Sequence, residues 1–581
     1  MFGHGRPWIR AGSLWRVIVR WSLVATVVIG VTSVSAFGEP AAGASGQSGF
    51  TELSAGYHTT CGVTSTHRAY CWGTNTYGQL GNGTVTKETA PAEVLKGAGP
   101  SSTGTYLSTI AQVSEGQNTT CAVSTTKYVY CWGHNNKGQL GSGTKTTSSV
   151  PVEVVKGAGP SATGTYLSTM TEVSTGTQSL GTCAVSTAKT VYCWGTNFSG
   201  QLGNGTTTTS IIPVEVLKGA GPSATGTHLT TVTEVSIGYH TVCALSTEKT
   251  VYCWGINNVG QLGNGTTTTS TTPVEVLKGA GPSATGTYLT TITEVTEGGY
   301  DATCAVTTSG HAFCWGDNFG DKLGVTTTVT INEETTPAEV LKGTGPSATG
   351  TYLTTVTGIS EGYNTTCSAM STDHAYCWGK NIYGQFGNGT TTTSDTPVEV
   401  LKGTGPSATG TYLTTVTGVS EGNYATYALV TSGSAYACGT NAYGQLGDGT
   451  TTASSTPVRV AITFPPPPPT VEAPSAVSWS LTLSGENATA SSTISVKVTD
   501  TTSSQAWTLE ATLPSAPSYG THTLGAVTAK CGSQSAVTLT TSPVTVCTGP
   551  GTTESITLSV FVPANAYADS YTATIGWEVV T

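Results

Sequence analysis

Cysteine is the residue whose type and spacing promise chemistry in this chain. Twelve of its 15 cysteines form six pairs in which nine residues separate the two partners. Paired thiols can be oxidised to a disulfide or can bind a metal ion, but this spacing does not match the short C-x2-C pattern of zinc sites. We therefore predict six structural disulfides and no metal site. The predicted bridges are Cys61–Cys71, Cys121–Cys131, Cys183–Cys193, Cys243–Cys253, Cys304–Cys314 and Cys367–Cys377.

Three cysteines lie outside this pattern. Tyr427 and Ala437 stand where a seventh pair would be, and Cys438 occupies a position that is tryptophan in the other copies. We predict that Cys438 is a small buried apolar residue, and the alternative is a reactive or intermolecular thiol. Cys531 and Cys547 are predicted to form a separate bridge in the C-terminal region.

The second cysteine of each pair opens a Cys-Trp-Gly motif that recurs every 60 to 63 residues. A fixed period of this length indicates a repeat architecture. In the fourth copy, segments 240–246 and 250–254 flank a polar turn and predict a hairpin in which Cys243 and Cys253 face one another. Alternation along a strand then places Trp254 on the opposite face. Segments 231–236 and 273–277 complete four predicted strands in each repeat.

Four strands per repeat, with seven repeats in the chain, predict a β-propeller. The recurring pattern Trp-Gly-x-Asn-x-x-Gly-Gln-Leu-Gly, found for example at 72–81, resembles the signature of RCC1 (regulator of chromosome condensation) repeats. The resemblance covers residues 50–464 and implies an all-β, seven-bladed propeller. It does not by itself imply the nucleotide exchange carried out by the founding member, because a fold is shared more widely than a function.

The segments on either side of the repeats differ from them in composition. Residues 1–36 carry arginines ahead of an apolar run at 21–31 and small residues at 34–36, which is the layout of a signal peptide. An uncleaved signal anchor is the alternative. Residues 37–49 are predicted to be a linker, and the proline run within 465–470 predicts a stiff second linker. Residues 471–581 alternate in short segments and predict a small β-sandwich domain, whose end faintly resembles bacterial WxL-type cell-wall domains.

The overall composition points to a protein that works outside the cell. Charged residues make up 9% of the chain, against about 25% in an average soluble protein. The formal net charge is −10, and no cluster of lysine and arginine follows the signal segment, so we predict no nucleic-acid partner. Because paired cysteines are typical of oxidising compartments, we predict a secreted or cell-surface protein.

Two features of the repeats are candidate binding sites. Blade five replaces the usual turn with an acidic one that includes Asp317 and Asp321 and is followed by Glu333 and Glu334. We interpret this as a solvated loop, with a Ca²⁺ site as the alternative. A recurring Gly-Pro-Ser-Ala-Thr-Gly-Thr loop is followed by an aromatic residue or histidine, and would offer the same weak contact many times. These candidate residues are Tyr106, Tyr166, His228, Tyr288, Tyr352 and Tyr412.

No catalytic constellation recurs in the sequence, so we predict that the protein is not an enzyme and uses no cofactor. The favoured hypothesis is a secreted or cell-surface scaffold whose rim loops bind an extracellular protein or a glycan. The C-terminal domain is a possible point of cell-wall association. One alternative is a protein inhibitor of an extracellular enzyme, since a propeller-type β-lactamase inhibitor has a similar RCC1-like fold. The other is guanine-nucleotide exchange, which the predicted export disfavours.

Overall fold

The computed structural model describes residues 49–462, apart from 98–105, 158–164, 177–179, 220–226, 280–286, 326–332, 344–350 and 404–411. Beyond residue 462 it describes essentially the strands of the C-terminal region. The predicted signal peptide, the first linker up to residue 48 and the proline run lie outside the described residues. Among the residues that are described, none belongs to a helix long and apolar enough to span a bilayer.

The repeats form seven antiparallel sheets of four strands each, arranged as a propeller in chain order. Blades one and two contain β1 (Phe50–Ala55), β2 (Thr59–Thr64), β3 (Ala69–Gly73), β4 (Glu88–Glu93), β5 (Ile110–Glu115), β6 (Thr119–Ser124), β7 (Val129–Gly133) and β8 (Ser148–Glu153). Blades three and four contain β9 (Met170–Thr175), β10 (Gly181–Ser186), β11 (Val191–Gly195), β12 (Ser210–Glu215), β13 (Val232–Ile237), β14 (Thr241–Ser246), β15 (Val251–Gly255) and β16 (Ser270–Glu275). Blades five to seven contain β17 (Ile292–Glu297), β18 (Ala302–Thr307), β19 (Ala312–Asp317), β20 (Glu333–Glu339), β21 (Val356–Glu361), β22 (Thr365–Met370), β23 (Ala375–Gly379), β24 (Ser394–Glu399), β25 (Val416–Glu421), β26 (Ala425–Val430), β27 (Ala435–Gly439) and β28 (Ser454–Arg459). The predicted fold of seven four-stranded blades is therefore confirmed.

The central hairpin of each blade has the predicted register. In blade four, β14 pairs with β15 so that Cys243 lies opposite Cys253. The structure joins these two residues by a disulfide, and it joins the other five predicted pairs in the same way. Gly255 ends β15 with a positive φ of 106°, and a Cβ there would lie 2.2 Å from the carbonyl oxygen of His240. The glycine of the Cys-Trp-Gly motif is thus required by close backbone approach.

In five of the seven blades the tryptophan of the motif ties the blade to the one before it. The Trp254 indole is fully buried, and its Nε1 donates to the backbone oxygen of Gln201 in blade three at 2.9 Å. Asn257 holds the corresponding turn of blade four, since its side chain accepts the Leu262 N–H and donates to the Thr266 oxygen. Asn257 thus shapes the turn of blade four, and the Gln261 carbonyl of that turn receives the indole of Trp315 in blade five.

The first strands of the blades stand side by side around the axis of the ring. Their serines link neighbouring blades; for example, Ser54 Oγ accepts the backbone N–H of Glu115 at 2.8 Å. Bonds of this type join six of the seven junctions in the described residues. One of them closes the ring, where Ser420 Oγ accepts the N–H of Ala55 at 3.0 Å.

Blade boundaries coincide with repeat boundaries. The last strand, β28, pairs with β27 of its own blade, with Arg459 opposite Tyr436. At the closing junction the Phe50 N–H donates to the Gly433 oxygen at 2.9 Å. In the described part of the propeller, no strand is exchanged between the first and last blades.

The C-terminal region is also built of strands. They are β29 (Thr470–Glu472), β30 (Ala476–Ser480), β31 (Ala488–Thr499), β32 (Trp507–Thr512), β33 (Ser518–Tyr519), β34 (His522–Thr523), β35 (Val527–Cys531), β36 (Val537–Thr538), β37 (Val544–Gly549), β38 (Thr553–Val562), β39 (Ser570–Thr574) and β40 (Gly576–Val580). They form sheets of five, four and three strands. The β-sandwich and the domain boundaries stay predictions, as does the bridge between Cys531 and Cys547, whose side chains lie outside the described residues.

Candidate binding face

One edge of every blade collects two of its turns. In an antiparallel blade, the end of the first strand and the end of the third strand lie at the same edge. The turn between strands one and two therefore meets the Trp-Gly-x-Asn turn that follows strand three. We call the ring formed by these turns the aromatic face, because of the side chains that they carry.

Exposed large apolar side chains are concentrated on the aromatic face. Ten such side chains are exposed among the described residues, and eight of them lie in these turns. The eight are Tyr77, Phe198, Tyr239, Tyr300, Phe319, Ile382, Tyr383 and Tyr443. The other two are Val85, in the loop that follows the Trp-Gly-x-Asn turn of blade one, and Tyr106, in the hairpin after the outermost strand of that blade. Contiguous exposed apolar surface marks an interaction site in soluble proteins.

Blades five to seven contribute a continuous tyrosine cluster to this face. The ring centroids of Tyr300 and Tyr363 are 4.7 Å apart, those of Tyr363 and Tyr424 are 5.2 Å apart, and those of Tyr383 and Tyr424 are 4.9 Å apart. Burial, helped by the neighbouring Tyr300 and Tyr424, raises the pKa of Tyr363 to about 12. The cluster therefore presents neutral phenols, each able to offer an apolar ring and a hydrogen bond.

The aromatic contacts continue across the closing junction into blades one and two. The His58 ring lies 4.6 Å from Tyr443 of blade seven, and Tyr77 lies 4.3 Å from His134 of blade two. Burial lowers the pKa of His58 to about 4 and also lowers the pKa of His134. Both imidazoles are consequently neutral at physiological pH and belong with the aromatic surface rather than with its charges.

Lysines on the aromatic face lie against its rings. Lys137 Nζ is 5.4 Å from the centroid of Phe198, and Lys380 Nζ is 5.5 Å from that of Phe319. Such cation–π contacts hold both partners in place without burying either of them. They couple blade two to blade three and blade five to blade six.

The irregular, acidic turn of blade five contains a lysine that pairs with one of its carboxylates. Lys322, which replaces the usual glutamine, is fully buried. Its Nζ lies 2.8 Å from Asp317 Oδ2 and 5.3 Å from the Tyr300 ring centroid. Asp321 takes the place of a turn glycine with a positive φ of 64°. Because the ammonium of Lys322 supplies the positive charge at this turn, the geometry favours a charge-paired turn over a Ca²⁺ site.

The sequence-predicted binding residues lie elsewhere, at the base of the hairpin that follows each outermost strand. Tyr166 forms an isolated bridge with Val155, and the other five residues form the equivalent bridge. Tyr106 is exposed, whereas the remaining five are half-buried. The structure therefore places none of the six predicted residues on the aromatic face. One lies in each of blades one to six: Tyr106, Tyr166, His228, Tyr288, Tyr352 and Tyr412.

Glutamate side chains near the axis of the ring form hydrogen bonds between neighbouring blades. Glu172 Oε1 accepts the backbone N–H of Val235 at 3.1 Å. Burial raises the pKa of Glu172 to about 8. Blade two has Gln112 at this position, and its amide donates to the Val173 oxygen at 2.9 Å and accepts the Val173 N–H at 2.8 Å. The position therefore joins blades with either a carboxyl or an amide side chain.

In the described residues, the clustered cysteines that could bind a metal ion already form disulfides. Two groups of three potential ligands lie close together: Cys243, Cys253 and Glu297, and Cys367, Cys377 and Glu421. In both groups the two cysteines form a disulfide. A disulfide sulfur carries no thiolate, which is the form that binds a metal. These groups do not fit a metal while the bridges are intact.

Sequence reasoning missed the aromatic face, although two local signals point to it. Tyrosine follows a strand-ending glycine at Tyr57, Tyr239 and Tyr363. Tyrosine also precedes the turn glycine at Tyr77, Tyr383 and Tyr443. Both positions vary from copy to copy, for example to Gln117 and Lys137 in blade two, so they do not stand out in a search for repeated residues.

Comparison with known protein families gives one clear match. The model described as "Regulator of chromosome condensation (RCC1) repeat" matches residues 66–123, 128–179, 190–245, 249–306, 373–429 and 432–468. A second model with the same description matches 50–79, 110–139 and 232–261. Together these matches cover more than half of the chain and fall on the seven blades.

Curated relatives share the propeller over part of their length. The chain is 27% identical over 403 residues to the human E3 ubiquitin-protein ligase HERC2, which covers 68% of this chain and 7% of that protein. It is 25% identical over 334 residues to the Arabidopsis thaliana ultraviolet-B receptor UVR8, covering 57% of this chain and 65% of the receptor. The chain thus spans less than two thirds of either relative.

Solved structures share the fold at lower sequence identity. Human WBSCR16 matches with a TM-score of 0.53 and 21% identity, over 70% of this chain and 96% of that one. Prp20p from Saccharomyces cerevisiae, studied for its binding to Gsp1p and histones, matches with a TM-score of 0.51 and 16% identity, over 71% of this chain and 88% of that one. At these identities the likeness concerns the fold alone.

Proposed function

Because the chain belongs to the regulator of chromosome condensation (RCC1) repeat family, we propose that its propeller is a binding scaffold. In our proposal the ligand is an extracellular protein, and the binding site is the aromatic face. The observation that carries the proposal is the placement of eight of the ten exposed large apolar side chains in the turns of that face. Membership of the family does not select the partner, since one propeller fold serves many binding functions.

The chemistry of the aromatic face suits a protein surface. Tyrosine is enriched at binding hot spots, because it buries a large rigid ring at low entropic cost and keeps a polar hydroxyl. Neighbouring rings in the tyrosine cluster contact one another, so part of the ordering that binding requires is already present. Preorganisation of this kind raises affinity by lowering the entropy lost on association.

Export is the second part of the proposal. It is supported by the layout of residues 1–36, in which arginines precede an apolar run, and by the six cysteine pairs, whose bridges need an oxidising compartment. Fractionation of expressing cells tests it: the protein should be found in the medium or on the cell surface, with six bridges intact in unreduced peptide maps. Free thiols at those positions in the native protein would contradict it.

Binding is tested with matched exposed positions. The double variant Tyr383→Ser/Tyr443→Ser removes two exposed rings of the aromatic face, and Tyr106→Ser removes an exposed ring that lies in a hairpin away from that face. A stoichiometric complex with an extracellular protein should weaken at least tenfold in the first variant and stay within about twofold in the second, as hot-spot losses do. Equal losses in both variants would locate the site elsewhere.

The identity of the captured partner separates the remaining alternatives. Inhibition of an extracellular enzyme by the full-length protein, lost in the same Tyr383→Ser/Tyr443→Ser variant, would favour the inhibitor hypothesis. Retention of a glycan and of no protein would replace the protein ligand by a glycan. Nucleotide release from a small GTPase would support the exchange hypothesis, and would contradict export.

A further inference from the structure

A short Asn-Gly-Thr turn recurs beside the Trp-Gly-x-Asn turn in four of the blades. Its asparagines, in blades one, three, four and six, are Asn82, Asn204, Asn264 and Asn388. In blade three the Asn204 Oδ1 accepts the Thr206 N–H at 3.2 Å and the Thr206 hydroxyl at 2.8 Å. The side-chain oxygen of the asparagine therefore shapes the turn, as in an Asx-turn.

Blades two and seven form the same turn with an oxygen alone. Blade seven has Asp448 at this position, and its Oδ1 accepts the Thr450 N–H at 3.0 Å and the Thr450 hydroxyl at 2.9 Å. Blade two has Ser142, whose hydroxyl lies 3.0 Å from that of Thr144. The glycine of the turn has a φ of 75° in blades two and three and of 83° in blade seven. The turn therefore does not need the amide nitrogen of an asparagine.

The amide nitrogen faces solvent in blades three, four and six. Asn204, Asn264 and Asn388 are half-buried, and each is followed by an exposed glycine and an exposed threonine. Within the described residues, their Nδ2 atoms have no hydrogen-bond partner and are not buried. In blade one, by contrast, the Asn82 Nδ2 lies 3.4 Å from Glu88 Oε1. Three turns thus present an accessible amide nitrogen that the fold does not use.

We propose that Asn204, Asn264 and Asn388 carry N-linked glycans. Asn-x-Thr, with x other than proline, is the acceptor sequence for this modification and is expected on surface loops of secreted proteins. In the transfer, the asparagine Nδ2 attacks the anomeric carbon of an oligosaccharide that is carried on a polyprenyl pyrophosphate. A C–N bond forms, the C–O bond to the pyrophosphate breaks, and the amide loses one proton. The inference rests on the export proposed above, because exported chains receive this modification.

The fold separates these three acceptors from other Asn-x-Ser and Asn-x-Thr triplets. Asn197 and Asn364 are 0% and 1% exposed, and the Asn197 Nδ2 donates to two backbone oxygens of the loop that follows it. Asn118 is half-buried. The hydroxyl of its third residue, Thr120, is buried and donates to the Gln79 oxygen at 2.7 Å. Only the Asn-Gly-Thr turns combine an accessible Nδ2 with an asparagine oxygen that accepts the hydroxyl of the third residue.

The proposed acceptors stand at the margin of the aromatic face. In blade four Asn257, which shapes the Trp-Gly-x-Asn turn of that face, donates to the Asn264 Oδ1 at 3.3 Å. The equivalent bond is 3.4 Å long in blades three and six. Glycans at these positions would border the aromatic face in three blades, and would narrow the range of proteins that can approach it.

The test uses the full-length protein, recovered from the medium of a eukaryotic cell that glycosylates its secreted proteins. Release of the glycans by peptide-N-glycosidase in heavy-oxygen water converts each occupied asparagine to labelled aspartate, which peptide mass spectrometry locates. Label is expected at Asn204, Asn264 and Asn388, and not at the buried Asn197 and Asn364. The triple variant Asn204→Asp/Asn264→Asp/Asn388→Asp should lose all three glycans. It should unfold at the same temperature as the deglycosylated parent, because blade seven already forms this turn with an aspartate.

Blade two offers a gain of site with a matched control. Ser142→Asn turns its Ser-Gly-Thr into Asn-Gly-Thr in the same turn, and this variant should gain one glycan, read as the added mass of the intact protein. Ser142→Asp supplies the same side-chain oxygen without an amide nitrogen and should gain none. Both variants should keep the unfolding temperature of the parent once the glycans have been removed.

Three outcomes would overturn the assignment. The first is protein in the medium without label at the three positions, which would remove this inference and leave the proposed export intact. The second is label at Asn197 or Asn364 as complete as at Asn204, which would show that the fold does not select the acceptors. The third is a lower unfolding temperature of the triple aspartate variant, which would give the amide nitrogens a structural role. Protein retained inside the cell would instead contradict export, and this inference with it.

Discussion

Blade four and blade seven have the same strands in the same register but are held by different residues. In blade four, Cys243 lies opposite Cys253 and the two are bridged. In blade seven, Tyr427 lies opposite Ala437 at the same place in the hairpin. Cys438 then stands where blade four has Trp254. The same four-stranded blade therefore forms with a disulfide in blade four and without one in blade seven.

In blade seven, Cys438 and Tyr427 contact backbone oxygens of the same turns that receive tryptophan indoles in other blades. Cys438 Sγ lies 3.2 Å from the oxygen of Gln385, which corresponds to the bond between Trp254 and Gln201 in blade four. The Tyr427 hydroxyl donates to the Gln445 oxygen, a carbonyl that also receives the indole of Trp72. The lesson is that the turn carbonyl is the fixed element of a junction, and the donor that meets it can differ.

The largest predicted effect comes from removing the indole. Trp254→Ala should lower the free energy of unfolding by about 3–5 kcal/mol, because it deletes a fully buried side chain and leaves the Gln201 oxygen without that donor. Urea unfolding followed by tryptophan fluorescence and circular dichroism measures the change. The counterpart Cys438→Ala should cost less than about 1 kcal/mol, and a cost equal to that of Trp254→Ala would break the comparison.

Removal of the disulfide between Cys243 and Cys253 is expected to have the second largest effect on stability. Cys243→Ala/Cys253→Ala should lower the free energy of unfolding by about 2–3 kcal/mol, since closing a short loop restricts the unfolded chain. Chemical denaturation compares this double variant with the parent under oxidising conditions. If it were no less stable than the parent, the bridges would not account for the difference between blades four and seven.

A third prediction sharpens the comparison with blades two and three, where Gln112 and Glu172 occupy equivalent positions. The Glu172 carboxyl has a pKa of about 8 in the fold and near 4.5 when unfolded, so the folded state holds its proton more tightly. Stability is therefore fully present below pH 4.5 and is lost as the pH rises to about 8. Because the side chain is half-buried, we expect about 1–2 kcal/mol from this group.

Substitution at these two positions isolates that contribution. Glu172→Gln should remove it, so that the variant matches the parent near pH 4.5 and is the more stable of the two near pH 8. Gln112→Glu should introduce a similar loss in blade two. Unfolding free energies measured at several pH values test both variants, and parallel pH profiles for Glu172→Gln and the parent would show that this carboxyl does not titrate as described.

The smallest effect concerns the hydroxyl group of blade seven. Tyr427→Phe should cost about 1 kcal/mol, because it removes one buried hydrogen bond to Gln445 and retains the ring. The ring also lies edge-on to Trp72 of blade one, so Tyr427→Ala should cost several times more. If Tyr427→Phe lost as much stability as Tyr427→Ala, the hydroxyl group rather than the packing of the ring would be the main stabilising contact at the closing junction.

Local features of the fold could be predicted from the sequence because their causes are local. The pairing of Cys243 with Cys253 follows from two alternating segments around one turn, and the structure has that register. The outermost strand was less well placed, at 273–277 instead of Ser270–Glu275. Pro273 lies within this outermost strand, at the edge of the blade, where its missing N–H donor is tolerated.

The aromatic face could not be predicted because its rings come together only when neighbouring blades pack and the ring closes. His58 and Tyr443 are far apart in the chain and become neighbours only when blade seven meets blade one. Tyr106 and its equivalents were identified by their recurrence, and their hairpin position explains why most are half-buried.

The closing junction has a consequence for chain order. The bond from Trp72 to Gln445 repeats the bond from Trp254 to Gln201, and the closing serine bond repeats those of the interior. Since the closing junction uses the same serine and indole contacts as interior junctions, the blade that comes first along the chain has no special mechanical role. A circularly permuted gene that joins blade seven to blade one and begins at another blade should encode the same propeller.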